Sequence, residues 1–452
     1  MNPRLRYPLL SGALFCLSST FSLPALSATD AMVDLLKVLR DKGTISDSDY
    51  NALEKAAKSD KAQIKKAVSD ATKDTVKVKT GHAGLKVQSG DGAFKFQLGG
   101  RLMVDAAFYD KDKTQLGNGA ELRRARLFVK GTAYKDWFYK GQLDFAGSKV
   151  SVKDFYMGYH GFKPVKIVIG HHKEPFSLEE QTSSKYITFM ERGLTSTFSP
   201  GRNTGISVAS HGQQWGARVG YFFDGVKNNA SPNGQGWGLT GRVHFAPINE
   251  KDRVIHLGAA ASYRGSDSSN NKLRFRERAE THITSTRLVD TGDINNYDNE
   301  TRYGLEAAAV LGPFSVQSEY MRTSVDTRGP GSDPEFSGWY AYGSYFLTGE
   351  HRPYKASSGS FGRVKPASVV GQGGTGAWEL AARYSSLDLK DSGINGGREN
   401  DITVGLNWYA TPNVRFMANY VRASTDPTSV VKFPTTGNED VNIFQLRSQI
   451  DF

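Results

Sequence analysis

The stretch "FKFQLGGRLMVDAAF", residues 94–108, alternates apolar and polar side chains over its whole length. Its even-numbered positions carry Phe, Leu, Gly, Val or Ala, whereas Lys95, Gln97, Arg101 and Asp105 stand at odd-numbered ones. Successive side chains of a strand point to opposite faces, so the pattern predicts one apolar and one polar face. The run exceeds the roughly five or six residues usual in soluble sheets, and it suits a tilted membrane-crossing strand of about 9–11 residues.

The same alternation recurs as far as the C-terminus. About 16 such segments can be counted, an even number, as in bacterial outer-membrane barrels. The last stretch, "NIFQLRSQIDF", ends on Phe452, and a terminal aromatic residue on an alternating strand resembles the signal read by the barrel-assembly machinery. We therefore predict an all-β transmembrane fold, a 16-stranded antiparallel barrel over residues 81–452. The alternative, an exported β-sandwich, would not need so many long strands.

The composition is compatible with such a barrel. The 452 residues carry a formal net charge of +11, with a pI near 9.4, which indicates an anionic partner. A mean hydropathy of −0.46 excludes a helical membrane protein with many spans. It does not exclude a membrane barrel, whose alternating strands average to polar.

Residues 1–28 are predicted to be a signal peptide. Arg4 and Arg6 precede the apolar stretch "PLLSGALFCLSSTFSLPAL", and the small residues of "ALSATD" offer cleavage after Ser27 or Ala28. The apolar run is short and broken by Ser, Gly and Pro, which disfavours a transmembrane anchor. Because the single cysteine, Cys16, lies in this segment, neither disulfides nor cysteine metal sites are expected. Export argues against a nucleic-acid partner despite the basic charge.

Residues 29–80 are predicted to form a short helical segment. The stretch "DAMVDLLKVLRDKG" groups apolar residues at helical spacing and stops at Gly43. A second helix starts after Ser46, with Asp49 three residues on in a capping-box pattern. The pair is too small to hold a core alone, so we interpret it as a spacer or a self-association element.

Between the strands lie long polar segments and short turns. The short turns, such as "GFKP" and "FAPINEKD", are expected at one end of the barrel and the long loops at the other. The long segments are residues 171–204, 264–300, 324–336, 349–375 and 387–400.

The positions predicted to face inward carry more basic than acidic residues. This asymmetry predicts an anion-preferring lumen, since the side chains lining a pore set its selectivity. Charged lumens with the two signs on opposite walls are the alternative. The basic residues are Lys95, Arg101, Arg124, Arg126, Lys140, Arg218, Arg242 and Arg383, and the acidic ones include Asp105, Asp144 and Glu306.

The stretch "KLRFRERAETH" repeats arginine with period two, at Arg274, Arg276 and Arg278. In an extended chain these side chains share one side, about 7 Å apart, and water-exposed charges at that distance repel by only about 0.6 kcal/mol. A mobile anion can bridge neighbouring guanidinium groups, and weak multi-site binding favours conduction. Alternatively, this is a loop of solvated charges partly neutralised by Glu277 and Glu280. Composition alone favours the second interpretation.

Two further basic regions are candidates for the lumen. In "ELRRARLFVKG", Arg123 and Arg124 cannot both face inward in a regular strand, so one should lie at the strand mouth or in a bulge. The long segment "HHKEPFSLEEQTSSKYITFMERGLTSTFSPGRN" is predicted to fold into the lumen and narrow it. There it would supply donors from Ser183, Ser184, Lys185 and Arg192.

These residues resemble the phosphate-selective porins O and P of Gram-negative outer membranes. The resemblance extends over nearly all of residues 85–452. It is carried by "FQLGGRL", "RRARL" with "GTAYKDW", "LEEQTSSKYITFMERGLT", "VIHLGAAASYR", "LTGEHRPYK", "AWELAARYSS" and "GLNWYATPNVRFMANYVRASTD".

The resemblance implies an outer-membrane homotrimer of 16-stranded barrels embedded in lipid, with a third loop folded inward as a constriction and no cofactor. It implies diffusive uptake of inorganic phosphate, pyrophosphate or other small anions. It places the family's arginine ladder on Arg274, Arg276 and Arg278, against the interpretation from composition. It places pore arginines and hydroxyl donors on Arg101, Arg123, Arg124, Arg192, Ser183 and Ser184.

Three positions depart from the family pattern. Glu180 stands where phosphate-selective members carry a lysine, and its carboxylate should weaken anion binding. Arg126 stands where a pore tyrosine is expected and adds positive charge, and His282 stands where a further arginine is expected. The chain is therefore expected to keep anion selectivity, with a general anion or organic-acid porin as the alternative to a phosphate porin.

Two other classes of function are weaker alternatives. An outer-membrane barrel enzyme would need a histidine beside acidic or nucleophilic partners, but the sequence has neither zinc-ligand spacing nor a G-x-S-x-G elbow. A purely structural barrel that binds a partner through residues 29–80 is the second.

Overall fold

The computed structural model describes residues 24–72, 75–111, 113–226, 234–266, 272–328, 333–426, 428 and 438–452. Most of the predicted signal peptide, residues 1–23, lies outside the described residues. The chain divides into two units, residues 1–75 and 76–452.

The first unit is a helical pair, α1 (Pro24–Asp41) and α2 (Asp47–Thr72). Gly43 has a φ of +68° just after α1, a conformation that glycine adopts without steric cost. The amide of Asp49 donates to Ser46 Oγ at 3.1 Å, which confirms the predicted cap. In the described part of the chain, no helix is both long and apolar enough to cross a membrane.

The second unit is a closed antiparallel barrel, and the prediction of 16 strands is confirmed. Each strand pairs with the next in sequence, and the last pairs with the first through Val441–Asp451 and residues 101–111. The strands are β1 (Lys95–Lys111), β2 (Gly119–Ala133), β3 (Trp137–Asp144), β4 (Ser151–Tyr159), β5 (Val165–Lys173), β6 (Arg202–His211), β7 (Trp215–Phe223), β8 (Trp237–Asn249), β9 (Arg253–Gly265), β10 (Tyr297–Leu311), β11 (Phe314–Thr327), β12 (Glu335–Phe346), β13 (Ala377–Asp391), β14 (Ile394–Tyr409), β15 (Val414–Thr425) and β16 (Glu439–Asp451).

A hairpin of strands Val76–Lys79 and Leu85–Ser89 extends the wall beside the start of β1. Its second strand pairs with residues 95–98 of β1, just below the part of β1 that β16 covers. Residues 76–80, expected at the end of the helical segment, thus belong to the barrel unit.

The predicted faces are confirmed along the wall. On β16, Phe444, Leu446 and Ile450 are 40–46% exposed on the outside, whereas Gln445 and Arg447 are buried on the inside. An apolar outer band facing lipid and a polar interior are the pattern of membrane barrels.

The expected separation of short turns and long loops is wrong at one place. Residues 347–376 lie between β12 and β13, at the end of the barrel where the other connections are short. We call residues 347–376 the plug segment. Residues 387–400, expected as a long polar loop, instead continue β13 and β14 up to a turn at Ser392 and Gly393.

The constriction loop, residues 174–201, folds into the lumen as expected and packs mainly against β10–β16. Arg415 donates to the carbonyls of Ile187 and Thr188, both at 2.8 Å. Asn407 also donates to Thr188 O, at 3.0 Å. These wall side chains fix the loop to one half of the barrel and leave the lumen open beside the other half.

We expect Arg415→Met to loosen the constriction loop, because Ile187 O loses its donor and Thr188 O, which also accepts from Asn407, loses one of two. Each buried group left without a partner costs about 1–3 kcal/mol. Open-channel current noise should rise at unchanged barrel content by circular dichroism. Arg422→Met, an exposed position on the same strand, is the control and should leave the noise unchanged.

Candidate functional site

Three cavities in the barrel share lining residues. The central cavity, about 480 Å³, shares Lys140, Tyr156 and Lys166 with a cavity of about 470 Å³ at the short-turn end. It shares Arg192 with an outer cavity of about 270 Å³ toward the long loops. The three cavities together outline a path along the open half of the barrel.

The central cavity is lined mainly by cations. Asp154 is the one carboxylate among its described lining residues, and it accepts from Arg202 Nε at 2.7 Å and from Lys140. The cations are Arg101, Arg124, Arg126, Lys140, Lys166, Lys173, Arg192, Arg202, Arg218 and Arg242.

Arg101 of β1 and Arg126 of β2 lie directly opposite each other in the antiparallel pair, and the alternation places both on the inner face. Arg101 donates to Ser184 Oγ at 2.6 Å, so the wall meets the constriction loop here. Arg126 donates through Nε to Asp144 at 2.7 Å. The charge of Arg126 is therefore compensated, whereas Arg101 has a neutral partner.

The predicted irregularity at Arg123 and Arg124 is confirmed as a bulge. Met103 pairs with Arg124 and Val104 with Leu122, so Arg123 is the extra residue. Arg124 lines the central cavity and Arg123 the outer one. The bulge thus supplies two neighbouring arginines to the lumen, which a regular strand does not allow.

Glu180 is surrounded by three cations. Its carboxylate lies 3.1 Å from Lys173 Nζ, 3.1 Å from Arg192 Nε and 4.0 Å from Arg202 Nη1. Burial raises the pKa of Glu180, but these cations outweigh it and hold the pKa at about 2. Glu180 is thus ionised at neutral pH and offsets cations that line the central cavity.

The predicted donors of the constriction loop do not all reach the central cavity. Ser183, Ser184 and Arg192 line it. Lys185 is absent from the described lining and instead donates to Asp451 Oδ2 at 2.8 Å, near the C-terminus.

The arginines of period two lie on the loop between β9 and β10. Arg274 and Arg276 are exposed and the intervening Phe275 is buried, which agrees with a shared face. Asp290 holds the guanidinium of Arg274 with two bonds of 2.7 and 2.5 Å. Arg278 lines the outer cavity with Arg123. The row therefore leads toward the outer cavity, with its first member neutralised.

Other inward-facing arginines hold loops in place. Arg383 is 2% exposed and donates to Glu280 and to Glu191 O. Arg242 makes two bonds to Glu306 and donates to Ser358 O and Gly359 O at 3.1 and 2.8 Å. Their predicted inward orientation is confirmed, but their hydrogen-bonding groups are occupied.

Three lining cations were not among the predicted site residues: Lys166, Lys173 and Arg202. The alternation in "VKIVIGHHK" places Lys166 on the face of His172 and indicates its position. Arg202 starts a strand directly after the constriction loop, where no periodic signal exists. Among the described residues, no group of three or more His, Asp or Glu is placed to hold a metal ion.

The plug segment reaches the central cavity from the short-turn end. Ser357 and Ser358 line the cavity, and the amide of Phe361 donates to Thr182 Oγ1 of the constriction loop at 3.2 Å. The flanking pairs, Tyr354 with Phe361 and Lys355 with Ser360, form a small hairpin.

We expect that replacing residues 356–359 by Asn-Gly will widen the pore. The change keeps the hairpin pairs, since two-residue Asn-Gly turns suit hairpins, and it removes both serines from the cavity. Single-channel conductance should rise about twofold, because the aqueous path becomes wider. Replacing residues 392 and 393, the turn between β13 and β14, by Asn-Gly is the control and should leave the conductance unchanged.

Comparisons with known proteins place these features in context. The family described as "Phosphate-selective porin O and P" matches residues 96–452. Porin O of Pseudomonas aeruginosa is 32% identical over 412 residues, covering 82% of this chain and 91% of that protein. An uncharacterised protein of Caulobacter vibrioides is also 32% identical, over 80% of this chain and 75% of that protein.

Solved porin structures share the fold at low sequence identity. The anion-selective porin of Comamonas acidovorans superposes with a TM-score of 0.53 at 14% identity, covering 79% of this chain and all of that one. A loop-deletion mutant of OmpT from Vibrio cholerae superposes with a TM-score of 0.51 at 14% identity, covering 80% of this chain and 100% of that chain.

Proposed function

Since this chain belongs to the phosphate-selective porin O and P family, and is therefore an anion-selective porin of the outer membrane and not an enzyme, we propose that it carries phosphate. Inorganic phosphate, or the larger oxyanion pyrophosphate, diffuses through the outer, central and short-turn cavities in that order. The short turns of porins face the periplasm. Anions that pass through the cavities in this order therefore move into the cell.

The observation that supports this proposal is the charge of the central cavity. Among the residues that the structure describes, ten lysines and arginines line it against one carboxylate, Asp154. In a partly buried site two charges 5 Å apart interact by about 3 kcal/mol at an effective dielectric of 20. An anion that loses its hydration shell is compensated here, whereas a cation is repelled.

Arg101, Arg124 and Arg218 are the cavity arginines best placed to contact the anion. Arg218 donates only to Ser207 Oγ, at 3.2 and 2.9 Å, and Arg101 to Ser184. The other arginines of the cavity each have a carboxylate oxygen within 3.1 Å, whereas the nearest one to Arg124, on Glu191, lies 3.8 Å from Nη2. Guanidinium groups with neutral partners keep their charge available, and several weak sites in series favour release as well as entry.

We further propose a homotrimer, as the family resemblance implies, embedded in outer-membrane lipid. The exposed apolar residues of the outer wall support the lipid contact. The last strand, which the exposed Phe452 follows directly, is the segment that we expect the barrel-assembly machinery to bind.

The test is single-channel recording in a planar bilayer, with chloride as the charge carrier and inorganic phosphate titrated in. We expect chloride to be preferred over potassium, and sub-millimolar phosphate to block the chloride current. Anion preference without phosphate block would support the second candidate, a general anion or organic-acid porin. Cation preference would refute both.

The general anion porin is favoured by one observation, the compensation of cavity cations by carboxylates. Glu180, Asp154 and Asp144 together bind Lys140, Lys173, Arg126, Arg192 and Arg202. A cavity neutralised to this extent should hold phosphate less tightly.

A further inference from the structure

We infer that Glu191 is a built-in counter-ion that occupies Arg123, so that Arg124 is the arginine of the pair that passing anions contact. This inference rests on the proposed function and assigns different roles to two neighbouring residues. Arg123 and Glu191 are then positioning residues.

One edge of the Arg123 guanidinium is already occupied by a carboxylate. Its Nε and Nη2 donate to the two carboxylate oxygens of Glu191, both at 2.8 Å. This bidentate arrangement is the one that an oxyanion would need from the same guanidinium. Glu121 Oε1 lies 4.0 Å from the same Nε. An anion can bind this Nε–Nη2 edge of Arg123 only by displacing Glu191.

Neighbouring groups hold Glu191 firmly in this place. Arg447, on β16, donates to Glu191 Oε1 at 2.8 Å and to Met190 O at 2.5 Å. Arg447 also makes two bonds to Asp105, at 2.7 and 2.6 Å. The four charged groups, Arg123, Arg447, Glu191 and Asp105, sum to zero, so they add little net charge to the path.

Glu191 also remains ionised in this setting. Burial raises the pKa of Glu191, but the cations of Arg123 and Arg124 hold it well below the usual range. An ionised, immobile carboxylate beside the path competes continuously with any anion for the neighbouring guanidinium groups.

Arg124, unlike Arg123, has no carboxylate at hydrogen-bond distance among the described residues. Its Nη2 is 3.8 Å from Glu191, beyond hydrogen-bond distance, and its Nη1 meets only the Sδ of Met103, at 3.5 Å. Its Nε has no hydrogen-bond partner among the described residues, and the residue is 3% exposed. A buried charge that has no hydrogen-bonded counter-ion is costly. An anion in the central cavity, which Arg124 lines, would relieve that cost.

These different roles of Arg123 and Arg124 predict how anion binding changes in single and double variants of Arg123 and Glu191. Arg123→Gln removes the main partner of Glu191, whose charge then acts on Arg124, so anion binding should weaken. Glu191→Gln frees Arg123 and should tighten binding. In the double variant Arg124 is relieved of the carboxylate and Arg123 is absent, so binding should return close to that of the unmodified protein.

The experiment measures the half-blocking concentration of inorganic phosphate on the full chain in planar bilayers. We expect about a tenfold increase for Arg123→Gln, about a fivefold decrease for Glu191→Gln, and a value within about threefold of the unmodified protein for the double variant. A double variant that stays as weak as Arg123→Gln would show that Arg123 itself contacts the anion and would overturn the inference.

Two readouts separate this inference from simpler outcomes. If Glu191 served only to hold the loop, Glu191→Gln would lower the unfolding temperature on SDS gels without tightening phosphate block, which also overturns the inference. If phosphate does not block the unmodified protein, the proposed function fails. The chloride-to-potassium permeability ratio then tests the inference independently: it should rise in Glu191→Gln, fall in Arg123→Gln and recover in the double variant.

Discussion

Replacing Arg101 and Arg124 together by glutamine should raise the half-blocking phosphate concentration by about 100-fold or more. Each guanidinium supplies a charge-assisted hydrogen bond worth about 1.5–3 kcal/mol, and 1.4 kcal/mol is a factor of ten. Both residues line the central cavity without a carboxylate at hydrogen-bond distance. Glutamine keeps a polar side chain, so the loss reports on charge. Titration of phosphate against the chloride current gives the value.

The matched control removes two arginine charges away from the path. Arg322 and Arg398 are exposed and paired with Glu335 and Asp388 near the loop end of the wall. Arg322→Gln with Arg398→Gln should leave the block within about twofold, because exposed ion pairs contribute little. If Arg101→Gln with Arg124→Gln retains sub-millimolar block, phosphate does not bind in the central cavity.

Glu180→Gln is expected to tighten phosphate block by about tenfold. The substitution frees Lys173, Arg192 and Arg202 from a carboxylate that lies 3.1–4.0 Å from them. A unit charge about 6 Å from a bound anion acts on it with up to ~3 kcal/mol at an effective dielectric of 20, and mobile ions screen part of this. Tighter binding also slows release, so the current carried by phosphate at saturation should fall.

Acidification should not neutralise Glu180 as this substitution does, and both proteins are titrated at one pH because phosphate itself gains a proton between pH 8 and 5. Because the surrounding cations hold the pKa of Glu180 at about 2, the carboxylate stays ionised when the pH is lowered from 8 to 5. Glu250→Gln, an exposed residue in a short turn beside Arg253, serves as the control. Weaker block in Glu180→Gln would mean that the carboxylate mainly positions Arg192, and the electrostatic argument would then be wrong.

The wall of the barrel could be predicted from the sequence because its cause is local. Alternation places successive strand residues on opposite faces. Because lipid lies outside the barrel and water inside it, only the orientation with the apolar face outward is stable. The same local argument predicted the irregularity at Arg123 and Arg124, since two adjacent side chains cannot share a face of a regular strand.

The state of the inward cations could not be predicted, because it depends on partners far along the chain. Arg101 and Arg383 have the same period-two signature, yet Arg383 binds Glu280, a residue of a distant loop. The plug segment was assigned to the wrong end for a similar reason. Nothing in its composition shows that residues 356–359 fold back toward Arg242 and His244.

The bulge in β2 also has an evolutionary consequence. If Arg123 were deleted, Leu122 and Arg124 would become neighbours while keeping their partners Val104 and Met103, and normal pairing would resume. Gain or loss of one codon at this position would thus alter the fixed charge of the channel by one and leave every other strand residue on its side of the wall. The barrel can in this way adjust how strongly it attracts anions without refolding, and related channels can diverge in affinity while sharing one fold.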